Sequence, residues 1–292
     1  MLLIKKHKHL LEQISEIRNN KKKINFIPTM GNLHNGHLNL IRQAQKRTNI
    51  TLVSIFVNPL QFNNSKDYKT YPRTFNGDKR ILMDQGVDIL FVPDDNFVPK
   101  NSDSFNLGTI SKKLCGTDRV GHFEGVATVI LRFLNLIEPN NIFLGEKDYQ
   151  QILVIKKVIK EYKLATKTKI VQTVRDKNMV ALSSRNILLK EKFNQAIIIP
   201  RILFKIKNSI ERGNFSFKEL SEIKNNIQKE FNVFLIYLEV LKESNLENLN
   251  EVYSKCRVFI CATISGIRLI DNMSLNGRYR LSKMDVIEKK VR

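Results

Sequence analysis

The sequence predicts an α/β protein in which a doubly wound parallel sheet is followed by a second, smaller α+β domain. In the first half of the chain, short apolar runs of strand length alternate with segments whose apolar residues recur at helical spacing. Such alternation is typical of βαβ units. From Arg175 onward the order changes, because helical segments come first and short β-rich runs follow them. We therefore predict two domains, residues 1–174 and residues 175–292.

The elements of the first domain follow one another in the apolar pattern. Before the first strand, a predicted helix that covers the sheet has one apolar face of four residues, Leu10, Leu11, Ile14 and Ile17. Buried strands are expected where short apolar runs end at turn formers, at residues 24–27, 50–57, 87–92, 142–144 and 169–174. Helices are expected between these strands, at residues 38–44, 78–85, 121–137 and 148–159.

Three further stretches complete the prediction for the chain. Pro28 is expected to end the first strand, and the turn formers from Asp94 to Ser102 mark a loop. Residues 105–114 fit no single element and are compatible with a strand followed by a short helix. In the second domain, helices are expected at residues 191–212 and 217–230, and strands at residues 235–241, 258–263 and 267–270. The basic tail after Met273 carries no recognisable motif.

The charge of the chain raises the possibility of a nucleic-acid partner. Lysine and arginine number 49 against 28 acidic residues, a formal charge of +21, and such a surface attracts polyanions. However, the lysines are scattered through every segment, and no basic helix is interleaved with aromatic residues. We interpret the charge as a solvated basic surface that also attracts small anionic substrates, and we expect no nucleic-acid partner.

The cysteines and the apolar runs indicate where the protein is found. Cys115, Cys256 and Cys261 form neither an even disulfide framework nor a metal-ligand spacing, which favours a reducing, cytoplasmic location. No apolar stretch reaches the length of a signal peptide at the N-terminus or the roughly 18 residues of a membrane span. We expect a soluble protein with no membrane partner.

A loop rich in glycine and histidine joins the first strand to the next helix, in the sequence FIPTMGNLHNGHLNL at residues 26–40. Free backbone N–H groups and the positive end of a helix dipole are expected there, and both favour phosphate binding. Because Gly31 and Gly36 have no side chains, a nucleotide can lie against the backbone. His34 and His37, three residues apart, are expected to project from one face of the helix start.

Two other interpretations of this loop have to be weighed. A histidine in a loop is commonly an ordinary surface residue, and a histidine pair can bind zinc. The other histidines, His7, His9 and His122, lie far away in sequence, and no cysteine cluster completes a zinc site. We therefore predict a nucleotide site and no metal bound by protein side chains alone.

The pattern His-x-Gly-His after a first strand resembles the signature of the adenylyl-transferring superfamily that includes class I tRNA synthetases and small nucleotidyltransferases. The longer motif PTMGNLHNGH at residues 28–37 is similar to the first motif of the pantothenate synthetase, or pantoate-beta-alanine ligase, family. Five further blocks match this family in order, namely FVNPLQF at 56–62, YPRT at 71–74, GHFEGVAT at 121–128, GEKDYQQ at 145–151 and ALSSRN at 181–186. Another nucleotidyltransferase with the same histidine motif is the alternative.

The resemblance implies a fold, a reaction and a set of partners. The fold is a Rossmann-like N-terminal domain hinged to a smaller C-terminal lid domain, in a homodimer formed through the N-terminal domain. In the reaction, the carboxylate of pantoate attacks the α-phosphorus of ATP to give pantoyl adenylate and pyrophosphate. The amine of β-alanine then attacks the acyl carbon, and AMP leaves. Mg²⁺ is expected to accompany ATP through its phosphate oxygens, because the sequence offers no carboxylate cage.

The resemblance implies which residues are catalytic and which bind ATP. His34, His37 and Lys147 are the predicted catalytic residues, with Lys147 supplying a charge for the ATP phosphates and Asp148 accepting bonds from the ribose. On its own, Gly145–Asp148 also fits a salt-bridged surface loop, and Ser183–Arg185 also fits an ordinary polar turn. The full predicted ATP site contains Met30, Gly31, Asn32, Leu33, His34, Asn35, Gly36, His37, Gly145, Glu146, Lys147, Asp148, Val174, Leu182, Ser183, Ser184 and Arg185.

The acid substrate is expected to meet neutral amides. Gln61 and Asn58 follow the second strand and can orient a carboxylate without lowering its nucleophilicity as a lysine would. By resemblance, Gln151 contacts pantoate, whereas Gln150 is as compatible with a structural role. The blocks at residues 71–74 and 122–125 are expected to shape and support the site.

Overall fold

The structure, a computed structural model, describes residues 1–46, 49–98, 105–230, 233–249 and 255–275. Pro99 and Ser102 of the predicted loop, and the tail beyond residue 275, lie outside these ranges. The chain divides into two compact units, Met1–Val174 and Arg175–Arg292. No helix among the described residues is long and apolar enough to cross a membrane.

The described part of the first unit contains a six-stranded sheet with helices between its strands. The strands are β1 (Leu2–Ile4), β2 (Ile24–Thr29), β3 (Ile50–Ile55), β4 (Ile89–Phe91), β5 (Asn141–Gly145) and β6 (Lys167–Val171). The helices are α1 (His7–Asn19), α2 (Asn35–Gln45), α3 (Ser65–Thr70), α4 (Phe75–Asp84), α5 (Cys115–Asp118), α6 (His122–Ile137) and α7 (Tyr149–Glu161). Apart from β1, α3 and α5, these are the elements that the sequence predicts.

All the pairings in this sheet are parallel, and the strand order is β1-β4-β3-β2-β5-β6. From β2 the chain moves outward to β3 and β4, and then it returns to the other side of β2 to form β5 and β6. The order therefore reverses between β2 and β5. In open α/β sheets, ligands bind at such a reversal, beyond the carboxyl ends of the strands. The parallel α/β fold is confirmed.

Both faces of the sheet are covered by apolar side chains. Ile27 belongs to a buried cluster with Ile41 of α2 and Leu82 of α4. Its neighbour Phe26 points to the opposite face, where its ring lies 5.3 Å from that of Phe133 on α6. Neighbouring residues on a strand point to opposite faces, so β2 contributes to both cores. This central strand is held on both sides just before it reaches the glycine and histidine loop.

Several element boundaries differ from the prediction. Pro28 does not end β2, whose pairing with β3 continues through Thr29, while its pairing with β5 ends at Phe26. A strand paired on one side only tolerates a residue without an N–H group. The strand expected at residues 169–174 is β6 and ends at Val171.

Three other expectations for the first unit were incomplete or wrong. The short edge strand β1, parallel to β4, was not predicted. Leu11 is 50% exposed, whereas Leu10 on the same helix is buried. Residues 105–114 contain a 3-10 turn at Gly108–Ser111 and no strand.

The second unit combines helices with a small antiparallel sheet, as predicted. The described strands are β7 (Phe234–Lys242), β8 (Cys256–Ile264) and β9 (Ile267–Leu275), with β8 in the centre. The helices are α8 (Ile198–Glu211) and α9 (Phe217–Glu230). The helix expected from residue 191 begins as a 3-10 segment, Asn186–Ile197, which is interrupted by the left-handed φ of 47° at Lys190.

Candidate active site

The carboxyl ends of β2 and β5 place two of the predicted motifs side by side. These strands are direct neighbours, paired through Asn25 with Asn141 and Phe26 with Ile142. The loop that leads into α2 follows β2, and the Gly145–Asp148 segment begins at the last residue of β5. The reversal of strand order therefore brings together two motifs that lie more than a hundred residues apart in sequence.

His34 and His37 close the start of α2 by bonding to its backbone. His34 precedes the first residue of the helix, and its Nδ1 accepts a hydrogen bond of 3.0 Å from the N–H of Gly36. Nδ1 of His37 accepts a bond of 3.2 Å from the N–H of His34. The ring centroids lie 4.1 Å apart. The pair forms a reciprocal capping box, with imidazoles in place of the usual hydroxyl and carboxylate.

These bonds determine which ring nitrogens carry protons. A backbone N–H can only donate, so Nδ1 of each histidine must be an unprotonated acceptor. A neutral imidazole then carries its single proton on Nε2. Both rings therefore present an Nε2–H donor on the side away from the loop backbone.

The surroundings keep the two rings neutral. Burial, aided by the positive charge of Lys147, lowers the pKa of His34 from 6.5 to about 4, against a weaker opposing effect of Asp148. Burial, aided by His34 and Lys147, lowers the pKa of His37 to about 3. At neutral pH the site therefore contains two uncharged donors, and the ammonium group of Lys147 is close enough to act on both rings.

The expectation of free backbone N–H groups in the loop is wrong for several residues. The N–H of Gly31 donates to Thr29 Oγ1 at 3.2 Å. The N–H groups of Asn32 and Leu33 donate to the carboxylate of Asp78, at 2.9 Å and 2.8 Å. The N–H groups of His34 and Gly36 donate to the two imidazoles. All five of these backbone N–H groups are therefore used within the protein. A phosphate would have to be held mainly by side chains here.

Glycine is required at position 31 for a structural reason in addition to the expected access of a ligand. Its φ of +78° lies in the left-handed region. A Cβ at this position would lie 3.0 Å from Oδ2 of Asp78 and 3.2 Å from Ile55 Cγ2. Glycine is needed here for the turn and for the approach of Asp78 as much as for access of a ligand.

The Gly145–Asp148 segment forms a 3-10 turn, Glu146–Asp148, between β5 and α7. The Lys147 ammonium lies 3.9 Å from Oδ1 of Asp148, whose side chain is about half exposed. An ion pair of this length and exposure contributes little to stability. Both charged groups can therefore exchange this contact for a ligand at small cost.

Gln61 lies on a 3-10 turn, Pro59–Gln61, that follows β3. Its Nε2 donates to Met30 Sδ at 2.7 Å, which places Gln61 beside the loop after β2. Asn58 is 1% exposed and donates from Nδ2 to the carbonyl of Gly125 at 3.0 Å and to Gln61 Oε1 at 3.3 Å. The amide of Asn58 is thus used to orient Gln61.

Residues at the start of helix α6 and just before it hold the Pro59–Gln61 turn in place. His122 Nδ1 and Arg119 Nη2 both bond to the carbonyl oxygen of Gln61, at 2.7 Å and 3.1 Å. A Cβ on Gly125 would lie 2.3 Å from the carbonyl oxygen of Leu60, so glycine is required for this close packing. His122 and Gly125 thus hold the turn in the way expected of a supporting role for residues 122–125.

The two glutamines at the start of α7 have different surroundings. Gln150 is buried, and its Nε2 donates to the carbonyls of Ile110 and Lys113, at 2.7 Å and 2.6 Å. Its Oε1 accepts the N–H of Cys115 at 3.1 Å. Gln150 therefore has a structural role, whereas Gln151 is only half-buried and lies on the first turn of the helix.

The predicted phosphate clamp belongs to the second unit. Ser183 Oγ accepts the N–H of Arg185 at 3.2 Å, which makes a tight turn. The preceding segment is closed by a bridge between Arg175 and Ala181. The Arg175 guanidinium forms a bidentate ion pair with Asp271 on β9, at 2.6 Å and 3.0 Å. Leu182 is in the same loop, and Val174 is the last residue of the first unit.

Sequence reasoning missed Asp78 and Arg119 as parts of the site. Asp78 appeared only as a residue at the start of a helix, and its partners lie 45 and 46 residues earlier in the chain. No local pattern predicts a contact over that distance. Among the described residues, no group of three or more histidine, cysteine or acidic side chains could hold a metal ion.

Comparison with known proteins places this geometry in a family. A family model described as pantoate-beta-alanine ligase matches residues 2–274. The pantothenate synthetase of Caldicellulosiruptor bescii is 34% identical and aligns over 95% of this chain and 100% of its own length. That of Pseudothermotoga lettingae is 37% identical over 94% of this chain and 99% of its own length.

Solved structures give the same result. The crystal structure of pantothenate synthetase from Thermus thermophilus matches with a TM-score of 0.87 and 31% identity, over 94% of this chain and 99% of that one. A pantoate-beta-alanine ligase from Francisella tularensis, complexed with beta-gamma ATP and beta-alanine, matches with a TM-score of 0.75 and 36% identity, over 94% and 98%. The chain therefore belongs to the pantoate-beta-alanine ligase family.

Proposed function

We propose that this protein is an ATP-dependent ligase that joins pantoate to β-alanine and releases AMP and pyrophosphate. One observation carries the proposal. Two neutral imidazoles with Nε2–H donors lie beside the ammonium of Lys147 at the reversal of strand order, in a chain of the pantoate-beta-alanine ligase family. This is a donor set for the oxygens of a nucleotide phosphate chain.

In the first half-reaction, a carboxylate oxygen of pantoate bonds to the α-phosphorus of ATP as the bond to pyrophosphate breaks. Negative charge then develops on the phosphate oxygens. We assign its stabilisation to the ammonium of Lys147 and to His34 and His37, whose donors are fixed before the substrate arrives. Chemistry of this kind requires positioning and charge stabilisation, and no protein nucleophile has to take part.

In the second half-reaction, the nitrogen of β-alanine bonds to the acyl carbon of the adenylate, AMP leaves and the amine loses a proton.

We assign the binding of the acid substrate to Gln61 and Gln151. The position of Gln61 supports this assignment, because its Nε2 donates a hydrogen bond to Met30 in the loop after β2. Asn58 acts through Gln61, because its own buried amide is used to hold Gln61 and the helix behind it.

The remaining predicted residues complete the ATP site in this proposal. The loop from Met30 to Gly36 lies under the nucleotide, and Asp148 receives the ribose. Ser183, Ser184 and Arg185 act as a pyrophosphate clamp carried by a lid domain, with Val174 and Leu182 flanking the adenine. The tight Ser183 turn and its attachment through Arg175 to β9 support a clamp that is rigid within its own unit.

We treat magnesium as part of the nucleotide substrate. The described residues offer no cluster that could hold the ion by themselves, so it would enter bound to the phosphate oxygens of ATP. We further propose a homodimer in the cytoplasm. The three cysteines are all buried and odd in number, which fits a reducing compartment.

The identity of the nucleotide product tests this function. The protein is incubated with MgATP, pantoate and β-alanine, and the products are separated. AMP, pyrophosphate and pantothenate in equal amounts are expected. ADP as the stoichiometric product, or AMP incorporated into the final product as by another nucleotidyltransferase, would refute the proposal.

The intermediate can be tested separately. With ATP and pantoate but no β-alanine, labelled pyrophosphate should exchange into ATP, because adenylate formation is reversible on the enzyme. A preparation that makes pantothenate without any such exchange would contradict the adenylate route.

A further inference from the structure

The loop between β2 and α2 wraps around a carboxylate of its own chain. Gly31 and Asn32 both have positive φ, +78° and +50°. The N–H groups of Asn32 and Leu33 converge on Asp78, at 2.9 Å and 2.8 Å. Successive N–H groups arranged around an anion form a concave site that receives phosphate in many nucleotide-binding proteins. Here the occupant is the side chain of Asp78.

Asp78 is built into this position. Its residue is 2% exposed, and its Oδ2 also accepts the hydroxyl of Thr74 at 3.0 Å. Thr74 precedes α4 as its capping residue, but its side chain makes no capping bond to that helix. A buried carboxylate is costly unless it is well hydrogen-bonded, and three donors from two segments meet that requirement.

A helix-dipole role alone does not account for these contacts. An acidic residue in a first helical turn is favourable wherever its side chain points near the helix end. The carboxylate of Asp78 instead accepts two backbone groups from a segment 45 and 46 residues earlier. Leu33 is followed directly by His34, whose own N–H holds the ring of His37. The contacts form a continuous chain from Asp78 to both imidazoles.

We propose that Asp78 is a positioning residue that fixes the Gly31–Leu33 loop so that His34 and His37 direct their Nε2–H groups at the nucleotide. By occupying two loop N–H groups, it also leaves the phosphate oxygens to side-chain donors. This inference rests on the proposed function for the identity of the reaction. The arrangement of the loop itself can be tested without it.

The first test is Asp78→Asn, with Leu82→Val as the matched control. Asparagine keeps the size of the side chain but turns an NH₂ group toward donors, so the loop must rearrange. The maximal rate of pyrophosphate exchange should fall about 10²-fold, as expected when reacting groups are misplaced by about 1 Å. ATP affinity should change only a few-fold. Leu82, on the same helix, is buried in the apolar cluster against which Leu33 packs, but its side chain cannot accept a hydrogen bond from the loop. Its variant should melt at a lower temperature and keep the exchange rate of the folded enzyme.

Two results would overturn the proposal: an unchanged exchange rate in a folded Asp78→Asn variant, or an equal loss of rate in the Leu82→Val control. Imidazole ¹⁵N spectra supply a readout that stability alone does not move. In the wild-type protein both rings should show the Nε2–H tautomer, and in Asp78→Asn the rings should become mixtures of tautomers. Retention of the wild-type pattern in the variant would count against a positioning role.

If Asp78→Asn does not fold, hydrogen exchange of backbone amides in the wild-type protein tests the proposal instead. The amides of Asn32 and Leu33 should exchange slowly with solvent before ATP is added, because Asp78 already holds them. Rapid exchange that becomes slow only with ATP would mean that phosphate is their real partner, and would refute the proposal. If wild-type protein shows no pyrophosphate exchange at all, the proposed function fails, while the amide and imidazole results still decide the role of Asp78.

Discussion

The protonation state of two histidines decides how the candidate site can work. His34 and His37 have pKa values near 4 and 3, so neither becomes charged in the ordinary working range. Their neutrality is imposed by burial and by the neighbouring ammonium of Lys147. The sequence predicted the pair and its location, but the pairing of each Nδ1 with a backbone N–H could be found only from the structure.

The pH dependence follows from these values. Pyrophosphate exchange should show no loss attributable to this pair near pH 6.5, where a free histidine titrates, and should fall as pH approaches 4. In the unfolded chain both rings bind protons at about pH 6.5. Because the folded pKa values are lower, stability should decrease as pH falls from about 6.5 toward 4. Rate and melting temperature are measured across this range.

The control for this prediction is His9→Gln, which removes an exposed histidine of α1. Its rate profile should match that of the wild type. An acidic limb centred near pH 6.5 that disappears in His34 or His37 variants would show that the rings titrate normally and that their neutrality has been misjudged.

Lys147 lowers the pKa of both histidines, and in the proposed function it also stabilises charge in the reaction. Lys147→Met should slow adenylate formation by roughly 10² or more, the usual effect of losing one preorganised donor at developing charge. It should also raise the pKa of both rings, since the positive charge lowers them now. NMR titration measures the second effect. Normal turnover in a normally melting variant would remove Lys147 from the mechanism.

A substitution at Gln61 should affect binding of the acid substrate and leave binding of the nucleotide nearly unchanged. Gln61→Glu replaces the amide donor by a carboxylate beside the proposed position of the pantoate carboxylate, so charge repulsion and a lost hydrogen bond should act together. Pantoate affinity should collapse while ATP affinity changes little, as calorimetric titration of each ligand can show. Equal loss of both ligands would mean that Gln61 supports the whole cleft, and unchanged pantoate binding would place the acid pocket elsewhere.

At the scale of elements, local patterns predicted the central strands and long helices well. They were less successful where tertiary contacts decide the outcome. β1 has only three residues and gains its identity from pairing with β4. Pro28 stays within β2 because the pairing with β5 has already ended before it. The Asp78 contact joins a helix to a distant loop, which no periodicity in either segment indicates.

The packing of α6 against the Pro59–Gln61 turn can be tested with one methyl group. In Gly125→Ala the new Cβ would overlap the carbonyl of Leu60, which belongs to the backbone and cannot move aside alone. Stability should fall by about 1–3 kcal/mol. The KM for pantoate should rise, because Gln61 is displaced. Denaturant unfolding and initial rates measure the two effects.

Gly77→Ala is the matched control for this change. Gly77 lies within α4, and a Cβ there would have nothing within 4 Å. Alanine is the better helix former by about 1 kcal/mol, so this variant should be as stable as the wild type or slightly more so. A Gly125→Ala protein that is equally stable would mean that α6 is less closely packed on the turn than the structure indicates.

At the scale of the whole molecule, the strand order explains why the candidate site combines residues that lie far apart in the sequence. The reversal of strand order between β2 and β5 unites motifs from residues 28–37 and 145–148. The sequence predicted the alternation of elements and hence the parallel sheet. It did not specify that β5, among the remaining strands, is the neighbour of β2.

The charge of +21 allows a prediction for the whole surface. Because the lysines are scattered, RNA should bind only weakly, with a Kd of roughly 10⁻⁴ to 10⁻⁶ M at physiological salt and without sequence preference. It should not inhibit pyrophosphate exchange at that salt concentration. Fluorescence titration with transfer RNA and with a random RNA of equal length is the measurement. Tight, selective binding would revive the alternative of an RNA-binding module.

The capping box around α2 also restricts which end of a substrate can approach the histidines. With both Nδ1 atoms engaged by backbone N–H groups, the rings expose donors and no lone pair. An ammonium group would face two N–H dipoles and the charge of Lys147 there, and neither ring could accept its protons. In the proposed reaction, the pair therefore favours oxyanions over the amino end of β-alanine. The proton that this amine must lose before it attacks has to be taken by another group, because these two rings cannot accept it without releasing the loop.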